Sequence, residues 1–129
     1  MKENDKVLEI RKIIEATKLI SSDYNIQVSV LPSFVHIPDE IALIFDEVIN
    51  GSKFLFNMGL INEIQYCKLK ILDERLNALS SEAWSLDSLK NSEEWNMIRN
   101  TAKEVLQSFN ESIEAEPELF WIKYVQKES

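Results

Sequence analysis

The two side chains best suited to nucleophilic and acid–base catalysis occur once each in this chain, as Cys67 and His36. Cys67 would act as a nucleophile only with a base within about 3 Å and a lowered pKa. Its spacing from Ile64 and Ile71 predicts instead a small buried thiol on the core face of a helix. A histidine can serve as a general base or a pH switch. Because His36 lies in an apolar segment between two prolines, we expect a partly exposed histidine in a packed loop.

Carboxylates occur in pairs, but no pair carries a recognisable metal or catalytic pattern. None belongs to the Glu-x-x-His pattern of di-iron proteins, no Asp-x-Asp-x-Asp-Gly calcium loop is present, and the zinc spacings are missing. Two glycines cannot supply a phosphate-binding loop. We therefore predict no catalytic residue, no metal site and no cofactor. An enzyme that used carboxylates alone would need an acidic pocket with a strongly raised glutamate pKa. The pairs are Asp39–Glu40, Asp46–Glu47 and Glu111–Glu114.

The 129-residue chain is acidic, with 14 Lys and Arg against 22 Asp and Glu and a net charge of −8. A negative field repels phosphate backbones and anionic lipid headgroups, so we expect neither a nucleic-acid nor a membrane partner but a basic protein. One cysteine cannot form an internal disulfide, the N-terminus lacks an apolar signal region, and no 18-residue apolar run is present. These features predict a cytoplasmic protein.

The negative charge is concentrated in one part of the sequence. Residues 73–118 contain eleven acids and four bases, which gives −7 of the total −8. Such a cluster forms either a solvated face that keeps the protein soluble or an electrostatic docking face for a basic protein. The candidate partner-binding residues within it are Asp73, Glu82, Trp84, Asp87, Glu93, Glu94, Glu111 and Glu114.

The three tryptophans differ in their expected roles. Trp95 fits the buried face of a helix and is expected to be structural. Trp84 lies in a connection, where it either plugs the core or anchors a partner. For Trp121 and the nearby Tyr124, core closure and an oligomer contact fit equally well.

The apolar spacing and the capping residues predict an all-α protein, a single helical domain over residues 1–129. We expect an irregular bundle of four to five helices with a short extended segment near residues 24–37, because Ile26–Val30 alternates with period two but has no strand to pair with. Residues 119–125 are apolar on nearly every side, so their spacing does not distinguish a helix from a strand or a loop. The helices are predicted at 5–20, 38–50, 52–58, 63–79 and 93–109, with a single turn at 86–89.

Part of the chain resembles a known class of proteins. The likeness covers residues 59–106 and rests on Gly59-Leu60-Ile61, Leu72-Asp73, Leu76, Trp84-Ser85-Leu86-Asp87-Ser88-Leu89, Ser92-Glu93-Glu94-Trp95, Ile98-Arg99 and Ala102. This stretch resembles the small acidic α-helical immunity proteins of bacterial contact-dependent inhibition and polymorphic toxin systems. The resemblance implies a cytoplasmic antidote that binds a cognate toxin domain and blocks its active site, and it carries over no catalytic residue.

Two functions from different classes follow. The first is an immunity protein that neutralises a toxin, of the basic nuclease type, through an acidic surface. The alternative is a homo-oligomeric interaction or regulatory domain, such as a homodimer, without enzymatic activity. Surplus apolar surface favours the alternative, and it is expected at Leu8, Leu19, residues 26–30 and residues 119–125.

Overall fold

The fold is described from a computed structural model for residues 3–112, 114 and 116–124. Over these residues it is all-helical and contains no strand. We find seven α-helices and one 3₁₀ helix, more than the four to five helices expected. The two additional α-helices are Tyr24–Val30, which was not predicted, and Leu86–Asn91, which was predicted as a single turn. The helices are α1 (Glu3–Ser21), α2 (Tyr24–Val30), α3 (Ile37–Ile49), α4 (Ser52–Asn57), α5 (Glu63–Asn77), a 3₁₀ helix (Ser81–Trp84), α6 (Leu86–Asn91) and α7 (Glu93–Ser108).

Helix α1 is the centre of the packing, in contact with both α3 and α7. Its C-terminal half is buried on every side, since residues 13–21 are all buried. Leu19, which falls off the main apolar stripe, is fully buried for that reason. The N-terminal half is different, since Val7 and Leu8 are both exposed. None of the described helices is long and apolar enough to cross a membrane.

The prediction of an extended segment near residues 24–37 is wrong over its first half. Tyr24–Val30 forms α2, because the Asp23 carboxylate caps it by accepting a hydrogen bond from the Ile26 N–H at 3.0 Å. The buried Gln27 amide then donates to the carbonyls of Leu19 and Ile20, each at 3.1 Å. These contacts outweigh the β-propensity of the alternating residues. Within the segment 24–37, only residues 31–36 lie outside a helix.

The predicted start and stop signals of α3 and α4 are confirmed. Pro38 lies in the first turn of α3 with two acids after it, and the apolar stripe is buried. Helix α4 begins at Ser52, and Gly59, with φ +72°, follows its end. A left-handed backbone of this kind costs glycine less than other residues.

Helix α5 has the predicted start, but only part of the predicted apolar stripe, Leu72 and Leu76, is buried. The Asn62 side chain accepts from the Gln65 N–H, and the Gln65 side chain accepts from the Asn62 N–H, both at 2.8 Å. The expected core positions Ile64, Cys67 and Ile71 are exposed, so the prediction of a buried thiol is wrong. The physical reason is the pairing with α7, since the Gln65 amide also donates to the Ser108 carbonyl at 3.1 Å and fixes the rotation of the helix. The buried face carries Leu69, Leu72 and Leu76.

The last part of the chain combines a confirmed helix with an irregular segment. The Ser85 and Ser92 side chains cap α6 and α7, as predicted. Trp95 is fully buried, and its indole N–H donates to the Ala83 carbonyl at 2.7 Å, which confirms its structural role. Residues 116–124 form neither helix nor strand, and Val125 lies outside the described residues. Within this segment, Leu119, Trp121, Ile122 and Tyr124 pack against the core.

Candidate functional site

A groove of about 500 Å³ opens between α3 and α5, with Trp84 of the 3₁₀ helix on its edge. Such a volume is in the range of protein binding sites. Apolar atoms and carboxylates share the lining, so a ligand meets both an apolar surface and negative charge. The lining residues are Asp39, Ala42, Leu43, Phe45, Asp46, Asp73, Leu76, Asn77 and Trp84.

Helical periodicity explains why the acids meet here. Asp39 and Asp46 are seven residues apart, which is two turns of α3, so they share one face of the helix. Asp73 stands one turn before Leu76 on α5, beside the row of leucines that is buried in the core. Because α3 packs against α5, the two acidic faces border the same groove.

The negative charge of the groove is weakly compensated. Burial, then repulsion from Asp46 and from Glu74, raises the pKa of the Asp73 carboxyl above its ordinary value. The described residues give Asp46 and Asp73 no Lys or Arg within 4.0 Å. Asp39 pairs only with the Nδ1 of the exposed His36, at 3.0 Å. The groove therefore presents carboxylates whose natural complement is a cation from outside the chain.

Trp84 closes part of the core, which is one of its two predicted roles, and its position leaves the partner-anchor alternative open. The indole is half-buried and meets the ring of Trp95 edge-on, so one side of Trp84 belongs to the core. Another side lines the groove. An aromatic side chain fixed in this way has little rotamer entropy to lose on binding, which is typical of interface anchors.

Four of the other predicted residues lie on the helices next to Trp84. Glu82 is exposed in the 3₁₀ helix, Asp87 is exposed in α6, and Glu93 and Glu94 begin α7. Helix α6 contacts both the 3₁₀ helix and α7, so these acids belong to one corner of the molecule. Two of them are held in place. Asp87 accepts from the Asn91 amide at 2.9 Å, and Glu94 accepts from the Ser80 N–H at 3.0 Å and hydroxyl at 2.7 Å.

Glu111 and Glu114 differ from the others in their surroundings. The Glu111 carboxylate lies 3.1 Å from an Arg11 guanidinium nitrogen and 3.3 Å from the Lys18 ammonium. The hydrogen bond from Arg11 is the largest cause that lowers the pKa of Glu111. The Glu111 carboxylate is therefore occupied by intramolecular ion pairs, whereas Glu114 is exposed. The acidic cluster of the sequence is thus divided in space, and Asp73 with Trp84 lie at the groove.

Sequence reasoning missed Asp39 and Asp46 as members of the site. The signal was present, because a spacing of seven residues on an amphipathic helix places two side chains on one face. A count of charge along the sequence gives the acidic stretch 73–118, and this stretch does not include α3. The two acids become visible only when charge is counted around the helix. As expected, His36 is partly exposed outside the helices. Among the described residues, no group of three or more His, Cys, Asp and Glu side chains is arranged to hold a metal ion.

Comparison with known protein families, with curated proteins and with solved structures found no match to this chain.

Proposed function

We propose that this chain is an immunity-type protein that binds one basic toxin domain through the groove between α3 and α5 and blocks the active site of that domain in the cytoplasm. The observation that supports this proposal is the placement of three carboxylates around an apolar floor beside Trp84, with no lysine or arginine of the described residues paired to Asp46 or Asp73.

A lysine or arginine side chain of the partner fits the lining. Its methylene stem would lie on Ala42 and Leu43, and its charged head would reach the carboxylates at the rim. Trp84 would cover the stem and exclude water, which strengthens the charged contacts. Opposite charge across an interface mainly raises the association rate and the specificity.

The nuclease type of toxin is the class of partner that this chemistry favours. A nuclease active site attracts phosphates with basic side chains, and carboxylates fixed on helices present negative charge to the same groups. The acids Glu82, Asp87, Glu93 and Glu94 extend the negative surface beyond the groove. An antidote of this kind needs no catalytic residue of its own.

The test is co-expression with the product of the adjacent gene, followed by co-purification at low salt and a growth assay. We expect the wild-type chain to co-purify and to restore growth. The variant D39N/D46N/D73N should lose both properties, and the matched control E63Q/E104Q/E116Q, which removes the same charge elsewhere, should keep them. Absence of co-purification together with absence of rescue, or a triple groove variant that binds like the wild type, would contradict the proposal.

A homodimer is the second candidate, favoured by the outer face of α5. Ile64 is 63 % exposed and Ile71 is 43 % exposed, and the two share one face of the helix, since seven residues separate them. Exposed apolar stripes of this kind mark interfaces when they are contiguous. Light scattering at micromolar concentration decides between the candidates, because a strict monomer excludes the homodimer and leaves the groove proposal intact.

A further inference from the structure

A second pocket, of about 390 Å³, lies where the C-terminal end of α1 meets α2, α6 and α7. Its charge is opposite to that of the protein as a whole. Lys90, Arg99 and Lys103 line it together with a single carboxylate, Asp23. Three cations and one anion give the lining a charge of +2 in a chain whose net charge is −8.

Arg99 is the unusual member of this pocket, because it is 7 % exposed and holds its charge without a counter-ion. Within the described residues, no carboxylate lies within 4.0 Å of its guanidinium. Burial lowers the pKa of Arg99, and attraction to Asp23 opposes that effect. Buried cations are ordinarily paired, since desolvating an unpaired charge is costly.

Among the described residues, the Arg99 guanidinium donates to neutral acceptors only, and one of its N–H groups has no acceptor. Nε donates to the Ser22 carbonyl at 3.0 Å, and Nη2 donates to the Gln27 side chain at 2.8 Å and to the Leu89 carbonyl at 2.6 Å. Nη1 makes one long hydrogen bond, 3.3 Å to the Asn96 side chain. A guanidinium has five N–H groups, so four bonds leave one N–H of Nη1 for a ligand.

The two lysines add to the positive charge beside Arg99. Lys103 follows Arg99 by four residues on α7, a spacing at which like charges repel. The ammonium of Lys90 lies 5.7 Å from the centre of the Tyr24 ring, which places it against the same pocket. An anion in the pocket would remove this repulsion and supply the counter-ion that Arg99 lacks.

We infer that this pocket binds a phosphate-type oxyanion, either free phosphate or the monoester group of a small metabolite, held by Arg99 Nη1 and by the ammonium groups of Lys90 and Lys103. Arginine and lysine are the usual binders of phosphate oxygens. The site is independent of the acidic groove, and its test does not require the toxin.

The experiment titrates the full chain with inorganic phosphate and, separately, with glycerol 3-phosphate, against chloride at equal ionic strength. The readouts are the Tm and the NMR resonance of the Arg99 Nε–H. We expect a Tm rise of about 4 °C when phosphate is present at ten times its dissociation constant. The variant K90A/K103A should lose most of this rise, while K53A/K68A, which removes the same charge elsewhere, should retain it.

The two ligands distinguish the sources of the phosphate group. An affinity for glycerol 3-phosphate at least about tenfold above that for inorganic phosphate assigns the pocket to a monoester. A smaller ratio assigns it to the free ion. The proposal is overturned if the wild-type Tm rises no more in phosphate than in chloride, or if K90A/K103A responds as fully as the wild type. Arg99 stays intact in every variant, and the unfolding transition of K90A/K103A without phosphate shows whether that variant folds.

Discussion

The rings of Trp84 and Trp95 meet edge-on, with their centres 6.0 Å apart and their planes at 90°. Trp95 is fully buried and is tied by its indole N–H to the Ala83 carbonyl, one residue before Trp84. Trp84 therefore stands at the rim of the acidic groove on a support that belongs to the core. This relationship connects the stability of the fold to the shape of the proposed binding surface.

Replacing Trp84 by alanine should affect binding more than folding. We expect a loss of about 2 kcal/mol or more in affinity for the partner, the size typical of an interface anchor. The free energy of unfolding should fall by about 1–2 kcal/mol, less than the roughly 3–5 kcal/mol of a fully buried tryptophan, because the indole is half-buried. Titration calorimetry and chemical denaturation measure the two effects. W84F should retain most of both, and wild-type affinity in W84A would remove Trp84 from the site.

Replacing Asp73 by asparagine should weaken binding while leaving the fold intact or slightly more stable. Burial and repulsion from Asp46 raise the pKa of this carboxyl, so its charge is unfavourable in the free protein. D73N removes the charge, and we expect a gain of up to about 0.5 kcal/mol in the free energy of unfolding. The neighbouring variant E74Q is the control for a generic loss of charge. A D73N protein that is clearly destabilised, or that binds as tightly as E74Q, contradicts this prediction.

Glu111 should make stability dependent on pH in the acid range. Hydrogen bonding to Arg11 lowers the folded-state pKa of Glu111 below its ordinary value of 4.5. The unfolded chain therefore takes up the proton first, so the stabilisation is complete above about pH 5 and is lost as the pH falls through the folded pKa. Urea denaturation at a series of pH values measures the slope. Between about pH 5 and pH 3, the range in which carboxyl groups ordinarily titrate, the stability of the E111Q protein should fall less than that of the wild type. If the two proteins lose stability equally over this range, Glu111 is not a source of the pH dependence.

Glu15 should be one of the most sensitive charged residues in α1. Its side chain is 4 % exposed, pairs with Arg11 and with Lys18 at 3.2 Å, and accepts from the Glu118 N–H at 2.8 Å. Removing Glu15 leaves Arg11 and Lys18 to share the Glu111 carboxylate and takes the acceptor from the Glu118 N–H. Because breaking a buried ionic network is strongly destabilising, E15A should cost about 3–5 kcal/mol. The control is E9A on the same helix, where the ion pair with Lys12 is more exposed and a loss of about 0.5 kcal/mol is expected. If E15A and E9A lose the same free energy of unfolding, burial does not make the Glu15 network more important for stability than an exposed ion pair.

Replacing Tyr124 by phenylalanine should not destabilise the protein. Among the described side chains, the Tyr124 hydroxyl is buried without a hydrogen bond of good geometry, although it lies beside the Glu40 carboxylate. Burial and the charges of Glu40 and Glu47 raise the pKa of Tyr124 to about 12. Because an unsatisfied buried hydroxyl costs free energy, we expect Y124F to be neutral or up to about 1 kcal/mol more stable. Thermal unfolding of the two proteins provides the comparison, and a clear loss would indicate a hydrogen bond to this hydroxyl.

The helices that carry their own start signals could be predicted from the sequence. Asn62, Ser85 and Ser92 each cap a helix with a side chain that bonds to the first turn, an interaction contained within four residues. Helix α2 has such a cap in Asp23, but its alternating β-branched residues favour an extended segment when the sequence is taken alone. The contacts that favour the helix come from Gln27, which reaches back to α1, and from Arg99 on α7. Its stability comes from partners that are distant in sequence.

The buried face of α5 and the composition of the groove show a second limit. Two apolar rows run along α5 at helical spacing, and the packing of α5 against α7, α3 and α4 decides which of them enters the core. Asp73 and Trp84 were predicted as site residues from charge and residue type. Asp39 and Asp46, which complete the lining of the groove, lie on α3. Whether they meet Asp73 depends on how α3 packs against α5. Local patterns define each helical face, whereas the packing decides which faces meet.

The ionic network that joins α1 to Glu111 has a consequence for synthesis on the ribosome. The apolar half of α1 is made before its main packing partner α7 and before Glu111, the carboxylate that complements Arg11 and Lys18. Contacts between distant parts of a chain form only after the intervening residues are available. During translation, α3 can cover part of α1 soon after it is made, but the face that packs on α7 stays uncovered until α7 emerges. Exposed apolar surface in this interval makes a nascent chain a target of chaperones and proteases.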